Sequence, residues 1–286
     1  MRADQVTDPI AYDAAGRLTP MPTVRKLAVT PVKGLALLHP AAIELEPGGA
    51  VGNRRFYLVG PDGRNRSGLA FGPLAAIVAE YDPAAERLTL RFPDGTAVSG
   101  DAAATGEHLD VRWSRTRRLQ GHVVDGPFAA ALSRYVGLDV RLVRAESGEA
   151  PQSAPVSIVS EASLEALERF ADLPERLDDR RFRMLVTIDG IEAFGEDGWI
   201  GREVRLGEAV VRVEIEAARC ATTTRDPSTG QRDWDALAAL RGLRGVSDRQ
   251  TIDFGVFGSV VRAGRVAVGD EVTVMPAEVE VGRPAI

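Results

Sequence analysis

Apolar residues along this chain fall in short runs, some continuous and some alternating with polar positions, and a glycine or proline closes most of them. Such runs lie at 24–30, 56–59, 74–81, 87–92, 184–188, 204–206, 209–215, 254–261 and 266–274. Turn formers separate them, as in Pro61-Asp62-Gly63, Pro93-Asp94-Gly95 and Val268-Gly269-Asp270. Period-two alternation bounded by turn residues is the pattern of short, half-buried strands. Helical spacing shows in three places. After Asp125 as N-cap, Phe128, Leu132 and Tyr135 recur on one helix face. Ser160 is placed to cap a second helix with Leu164, Leu167 and Phe170/Ala171 in line. A third covers 234–243, with Leu237 and Leu240 inward. The pattern therefore predicts a mainly β fold with a few helices. The polar stretch 146–153 reads as a linker, and the first residues, to about 20, read as a loosely held arm.

Composition narrows the class of function. The chain has 286 residues, enough for one large domain or two modest ones. Hydrophobic residues at 44% and charged residues at 27% are ordinary for a soluble globular protein. A net charge of −6 disfavours nonspecific binding to nucleic acid or to an anionic membrane. No apolar run is long enough to cross a bilayer. The polar, acidic start does not resemble a signal sequence, so a cytoplasmic location is expected. One cysteine excludes an intramolecular disulfide, and with it zinc or iron–sulfur sites built from several thiolates.

That cysteine is the most informative residue. Cys220 lies in Arg-Cys-Ala-Thr-Thr-Thr-Arg-Asp-Pro-Ser-Thr-Gly at 219–230. Arg219 precedes it and the hydroxyls of Thr222, Thr223 and Thr224 follow, an environment that favours a thiolate. The competing reading is a small buried hydrophobe. Basic residues also gather at strand ends: Lys33 after Thr30-Pro31-Val32, Arg54 and Arg55 before 56–59, and Arg180, Arg181 and Arg183 before 184–188. Arginine at such places suits phosphate, because its planar fork donates two hydrogen bonds at once. The competing reading pairs these cations with acids such as Asp178 and Asp179. Ser160 and Ser163 read as capping groups, and a helix N-terminus also attracts anions. His39, His108 and His122 are scattered without metal-ligand spacing and read as incidental. The two glycines of Gly255-Val256-Phe257-Gly258 read as close backbone packing. No catalytic Ser-His-Asp pattern, phosphate-binding loop or dinucleotide fingerprint is present.

Taken in order, several segments resemble those of MOSC-domain proteins related to the mitochondrial amidoxime-reducing component and its bacterial counterparts. They are Pro-Val-Lys at 31–33, Asn-Arg-Arg-Phe-Tyr-Leu-Val at 53–59, Ser-Ile-Val-Ser-Glu-Ala-Ser-Leu at 157–164 and Arg-Arg-Phe-Arg at 180–183. Glu-Asp-Gly-Trp-Ile-Gly-Arg at 196–202, the run at 219–230, Phe-Gly-Val-Phe-Gly at 254–258 and Gly-Arg-Val-Ala-Val-Gly-Asp at 264–270 complete the set. The resemblance implies an N-terminal β-rich domain at 23–145 and a C-terminal MOSC β-barrel at 150–277, with a molybdenum cofactor of the molybdopterin type between them. It implies Cys220 as the molybdenum ligand and as catalytic residue, with Lys33, Arg54, Ser160, Arg183, Arg219 and Thr222 around the cofactor. The implied activity is reduction of small N-oxygenated substrates with electrons from a separate electron-donor protein. The alternative is a non-catalytic carrier of the cofactor or of persulfide sulfur on Cys220. Three positions depart from the pattern: Gly34 where a small hydroxyl residue is common, Asn53 for aspartate, and Leu185 near a frequent asparagine.

Overall fold

The computed structural model describes residues 11–12, 18–19, 21–66, 72–104, 106–113, 117–146 and 153–276. Most of the expected N-terminal arm and residues 147–152 of the expected linker lie outside them. The fold is mainly β, and its largest element is a nearly closed barrel sheet of seven strands. Their order is Val272–Val274, Glu203–Leu206, Ala209–Ala218, Asp253–Arg262, Val156–Ser160, Val186–Asp189 and Thr23–Leu27. Neighbours run antiparallel except Val156–Ser160 beside Val186–Asp189, where the helix Glu161–Phe170 makes the crossover that a parallel pair needs. Thr23 bridges Glu271, and the Val24 N–H donates to the Asp270 carbonyl at 2.8 Å. The first strand thus meets the last, and closure of this kind removes the exposed edges of an open sheet.

Alternation explains which residues fill the barrel. In Ala209–Ala218, Val211 and Val213 are buried while Arg212 and Glu214, which alternate with them, are exposed. These valines join Ile158, Val186, Val256 and Val266 in one core. Ile43 and Leu45 from the strand Ala42–Glu46 enter that core too, because Ala42–Glu46 pairs with Gly264–Ala267. Residues 23–50, early in the chain, therefore pair with strands from its second half.

Besides the two-stranded pair Ala11–Tyr12 and Leu18–Thr19, two further sheets form. One runs His108–Arg112, Arg118–Val123, Arg141–Ala145, Phe56–Val59; the other is the meander Val78–Asp82, Arg87–Arg91, Ala97–Asp101. With the helix Phe128–Val136 they bury Phe56, Leu58, Leu88, Leu90, Phe128 and Leu132. The turn at Asp94-Gly95 forms as its sequence predicts: Gly95 has φ +85°, and the Asp94 carboxylate accepts the Thr96 N–H at 2.9 Å.

Several boundaries differ from the sequence pattern. The run 74–81 divides into a 3₁₀ turn, Gly72–Ala76, and the strand Val78–Asp82. The run 266–274 breaks at Gly269, φ +93°. Asp125 does not cap the first helix. Gly126-Pro127 intervene, and the capping position is Pro127, which has no side-chain acceptor. Ser160 caps the second helix as expected, accepting the Ser163 N–H at 3.1 Å. The third helix spans Ala236–Arg244 from an Asp235 cap and buries Ala236 and Leu240, with Leu237 only half-buried. Among the described residues no helix is long and apolar enough to cross a membrane.

Candidate functional site

Three chain segments reach one cleft of about 310 Å³ from strand ends. Lys33 and Arg54 lie in the connections that follow Thr23–Leu27 and precede Phe56–Val59. Arg183 lies between the turn Asp179–Phe182 and the strand Val186–Asp189. Arg219 and Cys220 follow Ala209–Ala218, and Thr222 sits in the 3₁₀ turn Ala221–Thr224. Among the described residues the lining includes five cationic side chains, Lys33, Arg54, Arg181, Arg183 and Arg219, and no aspartate or glutamate. In a chain of net charge −6 that is a local reversal of sign. A cleft lined by one charge focuses the field and concentrates anions.

How the arginines are held separates them. Arg180 donates to the Asp178 carboxylate, with Nη2–Oδ2 at 2.6 Å, and Arg181 donates to Asp233 at 2.8 Å. For these two the ion-pair reading applies. Arg183 instead donates to the Leu35 carbonyl at 2.8 Å, and Arg219 to the Phe182 and Ala217 carbonyls at 2.9 and 3.1 Å. Neither stands in an ion pair among the described residues. Arg54 donates to the Arg183 carbonyl at 3.0 Å. A guanidinium fixed through main-chain carbonyls keeps its charge available to an incoming anion.

Arg54 and Arg183 also share left-handed backbone, φ +51° and +53°. Residues other than glycine adopt it at a cost of order 1 kcal/mol, and such positions gather at functional sites. Here the conformation turns both side chains into the cleft.

Crowding shifts the titration of these groups. Burial, then the Arg54 and Arg183 charges, lower the Lys33 ammonium to about 7, with Cys220 acting in the opposite sense. Burial lowers Arg54 and Arg219 to about 10; burial and Arg54 together lower Arg183 to about 9. All three guanidiniums remain charged at neutral pH, and Lys33 alone sits at its midpoint. Its Nζ lies 4.8 Å from the centre of the Trp113 ring, a cation–π distance.

Cys220 is exposed, which rules out the buried-hydrophobe reading. Its Sγ–H donates to Thr222 Oγ1 at 3.2 Å. Thr223 and Thr224 turn their hydroxyls back to the Cys220 and Ala221 carbonyls at 3.0 and 2.7 Å, so they serve the turn and not the thiol. The structure thus brings Lys33, Arg54, Arg183, Arg219, Cys220 and Thr222 together and places Ser160 elsewhere. Ser160 is fully buried: its hydroxyl meets Ser163 Oγ at 2.7 Å and its N–H donates to Glu196 at 3.1 Å.

Sequence reasoning missed Trp113, Ser157 and Phe257 as lining residues. Nothing local marks them, because each enters through pairing of strands distant in the chain. The departures from the pattern have simple places. Asn53 is buried and its Oδ1 accepts the Thr30 N–H at 3.0 Å. Leu185 points into the barrel core, and its N–H donates to Ser157 Oγ at 2.9 Å. Gly34 lines the cleft with φ +95°. Gly255 and Gly258 are close-packing positions: a Cβ on either would stand 2.5 Å from a neighbouring carbonyl oxygen.

The MOSC domain family matches residues 135–273. Mitochondrial amidoxime-reducing component 1 of Xenopus laevis is 32% identical over 130 residues, 43% of this chain and 36% of that protein. Mitochondrial amidoxime reducing component 2 of Bos taurus is 34% identical over 133 residues, 43% of this chain and 37% of that protein. The match therefore spans little more than a third of these relatives' length. Among solved structures, the YUAD protein of Bacillus subtilis aligns with 88% of this chain and 94% of its own, at 14% identity and a TM-score of 0.43. Residues 135–273, just under half of the chain, match the MOSC domain family, and this stretch carries Arg183, Arg219 and Cys220 of the cleft.

Proposed function

We propose that the cleft holds a molybdenum cofactor of the molybdopterin type and that the protein is an oxidoreductase acting on small N-oxygenated substrates. The observation that carries this reading is an exposed thiol in a cleft whose charged lining, among the described residues, is five cations. The donor set fits such a group. Soft thiolate sulfur suits molybdenum, guanidiniums fixed by carbonyls suit a phosphate, and the aromatic faces of Trp113 and Phe257 suit a flat ring. Cys220 would ligate the metal, with Thr222 Oγ1 beside its sulfur. Arg54, Arg183 and Arg219 would hold the anionic end, while Lys33 Nζ, poised near neutrality, would hold or release a proton. When bound, the metal supplies the two-electron chemistry by which such cofactors accept oxygen from a substrate. The names of the curated relatives motivate the substrate class, and the lone cysteine motivates a separate electron-donor protein. In the same reading the chain divides near 145–150 into an N-terminal β-rich part and the MOSC barrel, with the cofactor between, although the N-terminal strands Thr23–Leu27 and Ala42–Glu46 pair with strands of the barrel part.

The test is molybdenum and oxidised-pterin content of protein made in a host that synthesises the cofactor, for wild type, Cys220→Ser and Arg183→Gln. Loaded wild type, loss of molybdenum in Cys220→Ser and loss of both signals in Arg183→Gln are expected. So is turnover of a benzamidoxime-type substrate with an artificial electron donor. Equal, near-zero molybdenum in wild type and Cys220→Ser overturns the cofactor reading. Loaded protein without turnover on a panel of N-oxygenated compounds overturns the reductase and leaves a carrier of cofactor or sulfur.

A further inference from the structure

We propose that His108, His122 and Glu146 form a binding site for a divalent transition metal of the zinc class, separate from the cationic cleft. The histidines are fourteen positions apart in sequence, and strand register brings them together. His108 of His108–Arg112 lies directly opposite His122 of Arg118–Val123. Gly121 lies opposite Ala145, so Glu146 comes opposite Gln120, one step along the same face as His122. The Glu146 N–H donates to the Gln120 carbonyl at 3.2 Å and fixes that register.

The geometry fits a metal. His108 Nε2 lies 3.0 Å and His122 Nε2 3.6 Å from the same oxygen, Glu146 Oε1. The two rings meet edge to face with centroids 5.0 Å apart. One ligand atom from each residue fits within a span of 4.8 Å. Four-coordinate zinc with bonds of about 2.1 Å sets its ligand atoms roughly 3.4 Å apart, between the two distances to Oε1. Two imidazoles and a carboxylate are a donor set that suits zinc, nickel or copper and leaves a position open to water.

Charge around the triad leaves it available. Arg118 donates to Asp110 at 2.7 Å, Arg141 to Glu107 at 2.8 Å and Arg144 to Glu86 at 2.8 Å, so each nearby arginine has its own carboxylate. Among the described residues Glu146 has no lysine or arginine partner; its charge faces the imidazoles alone. The side chains are 48%, 37% and 38% exposed, so an ion enters without opening the fold. The site is also distinct from the cleft. Trp113, which faces the cleft, packs with Tyr57, Val111 and Val143 on the opposite face of this sheet.

The experiment is a zinc titration of the full chain in competition with a chromophoric chelator, in a Cys220→Ser background that removes the thiol as a rival ligand. One equivalent of zinc is expected to bind. His122→Ala or Glu146→Gln is expected to weaken it by about tenfold or more, the least that loss of even an outer-sphere partner costs. The unfolding midpoint should rise with zinc in the Cys220→Ser protein and stay fixed when His122→Ala is added. Circular dichroism of the His108→Ala, His122→Ala and Glu146→Gln variants checks that each folds. Absence of zinc binding, or binding of equal strength after both histidines are replaced, overturns the proposal.

Discussion

Burial and the charges of Arg54 and Arg183 bring the Lys33 ammonium from 10.5 down to about 7, and linkage turns that change into a dependence of stability on pH. Between about 7 and 10.5 the unfolded chain holds a proton that the folded chain has released, so stability rises with pH across this window. Below about 7 both states are protonated, and the charged, crowded ammonium is a constant penalty. A tenfold change in proton affinity corresponds to about 1.4 kcal/mol, and solvent screening holds the whole penalty to roughly 2–3 kcal/mol. Lys33→Met should therefore be more stable than the wild type at and below neutral pH by about that amount, with the gap closing toward pH 10.5. Urea denaturation across that range checks it, and a gap that does not change with pH contradicts the assignment. The Cys220 run was legible in the sequence because thiol, arginine and hydroxyls are adjacent there. Local composition did not separate Arg183 from Arg180 and Arg181, and only the family resemblance singled it out; in the structure the left-handed backbone at Arg183 and the acids beside the other two distinguish them.

At the scale of elements, legibility followed burial. Arg87–Arg91, with one clean apolar face, and Phe56–Val59, a continuous apolar run buried on both faces, both appear close to where the sequence pattern put them. Capping chemistry placed the start of the second helix, and it failed at Asp125 because Gly126-Pro127 moved the first helix two residues on. Nothing local showed that Ser160 and Ser163 face a buried carboxyl. Ser163 Oγ lies 2.8 and 3.1 Å from the two oxygens of Glu196 and accepts the Phe194 N–H at 2.7 Å. This joins the start of the helix to the turn Gly195–Trp199. Ser160→Ala removes the cap and the hydroxyl contact to Ser163 and should cost about 1–2 kcal/mol. Ser163→Ala leaves a buried carboxyl and a buried N–H short of a partner and should cost about 2–3 kcal/mol. If the cleft holds the proposed molybdenum cofactor, neither should change molybdenum content, since both hydroxyls lie outside the cleft. Chemical denaturation with metal analysis checks both; loss of molybdenum in Ser160→Ala at unchanged stability would restore Ser160 to the cofactor site.

Across the whole molecule, the cleft depends on contacts between parts of the chain that the sequence presents as separate. The strand Thr23–Leu27 closes a barrel built from residues beyond 155, and Arg54 and Arg183 exchange hydrogen bonds between early and late segments. The tightest such contact is between two glycines. Gly72 opens the 3₁₀ turn that carries buried Leu74; Gly230 ends the Asp226-Pro227-Ser228-Thr229-Gly230 turn that follows Cys220. A Cβ on either glycine would overlap the other's carbonyl group, and Gly230 has φ +69°. The same turn is held from within, as Asp226 Oδ1 accepts the Ser228 and Thr229 N–H groups at 3.0 and 2.6 Å, so it cannot yield by loosening alone. Gly230→Ala must therefore separate the two segments beside Arg183 and Thr222, which line the adjoining recess. Backbone strain and overpacking together should cost about 3 kcal/mol or more. Gly95→Ala is the control, since φ there is +85° and a Cβ would meet nothing within 4 Å, so strain alone should cost about 1–2 kcal/mol. Denaturation of the two variants side by side measures the difference; equal costs would mean that the glycine contact does not hold the halves together.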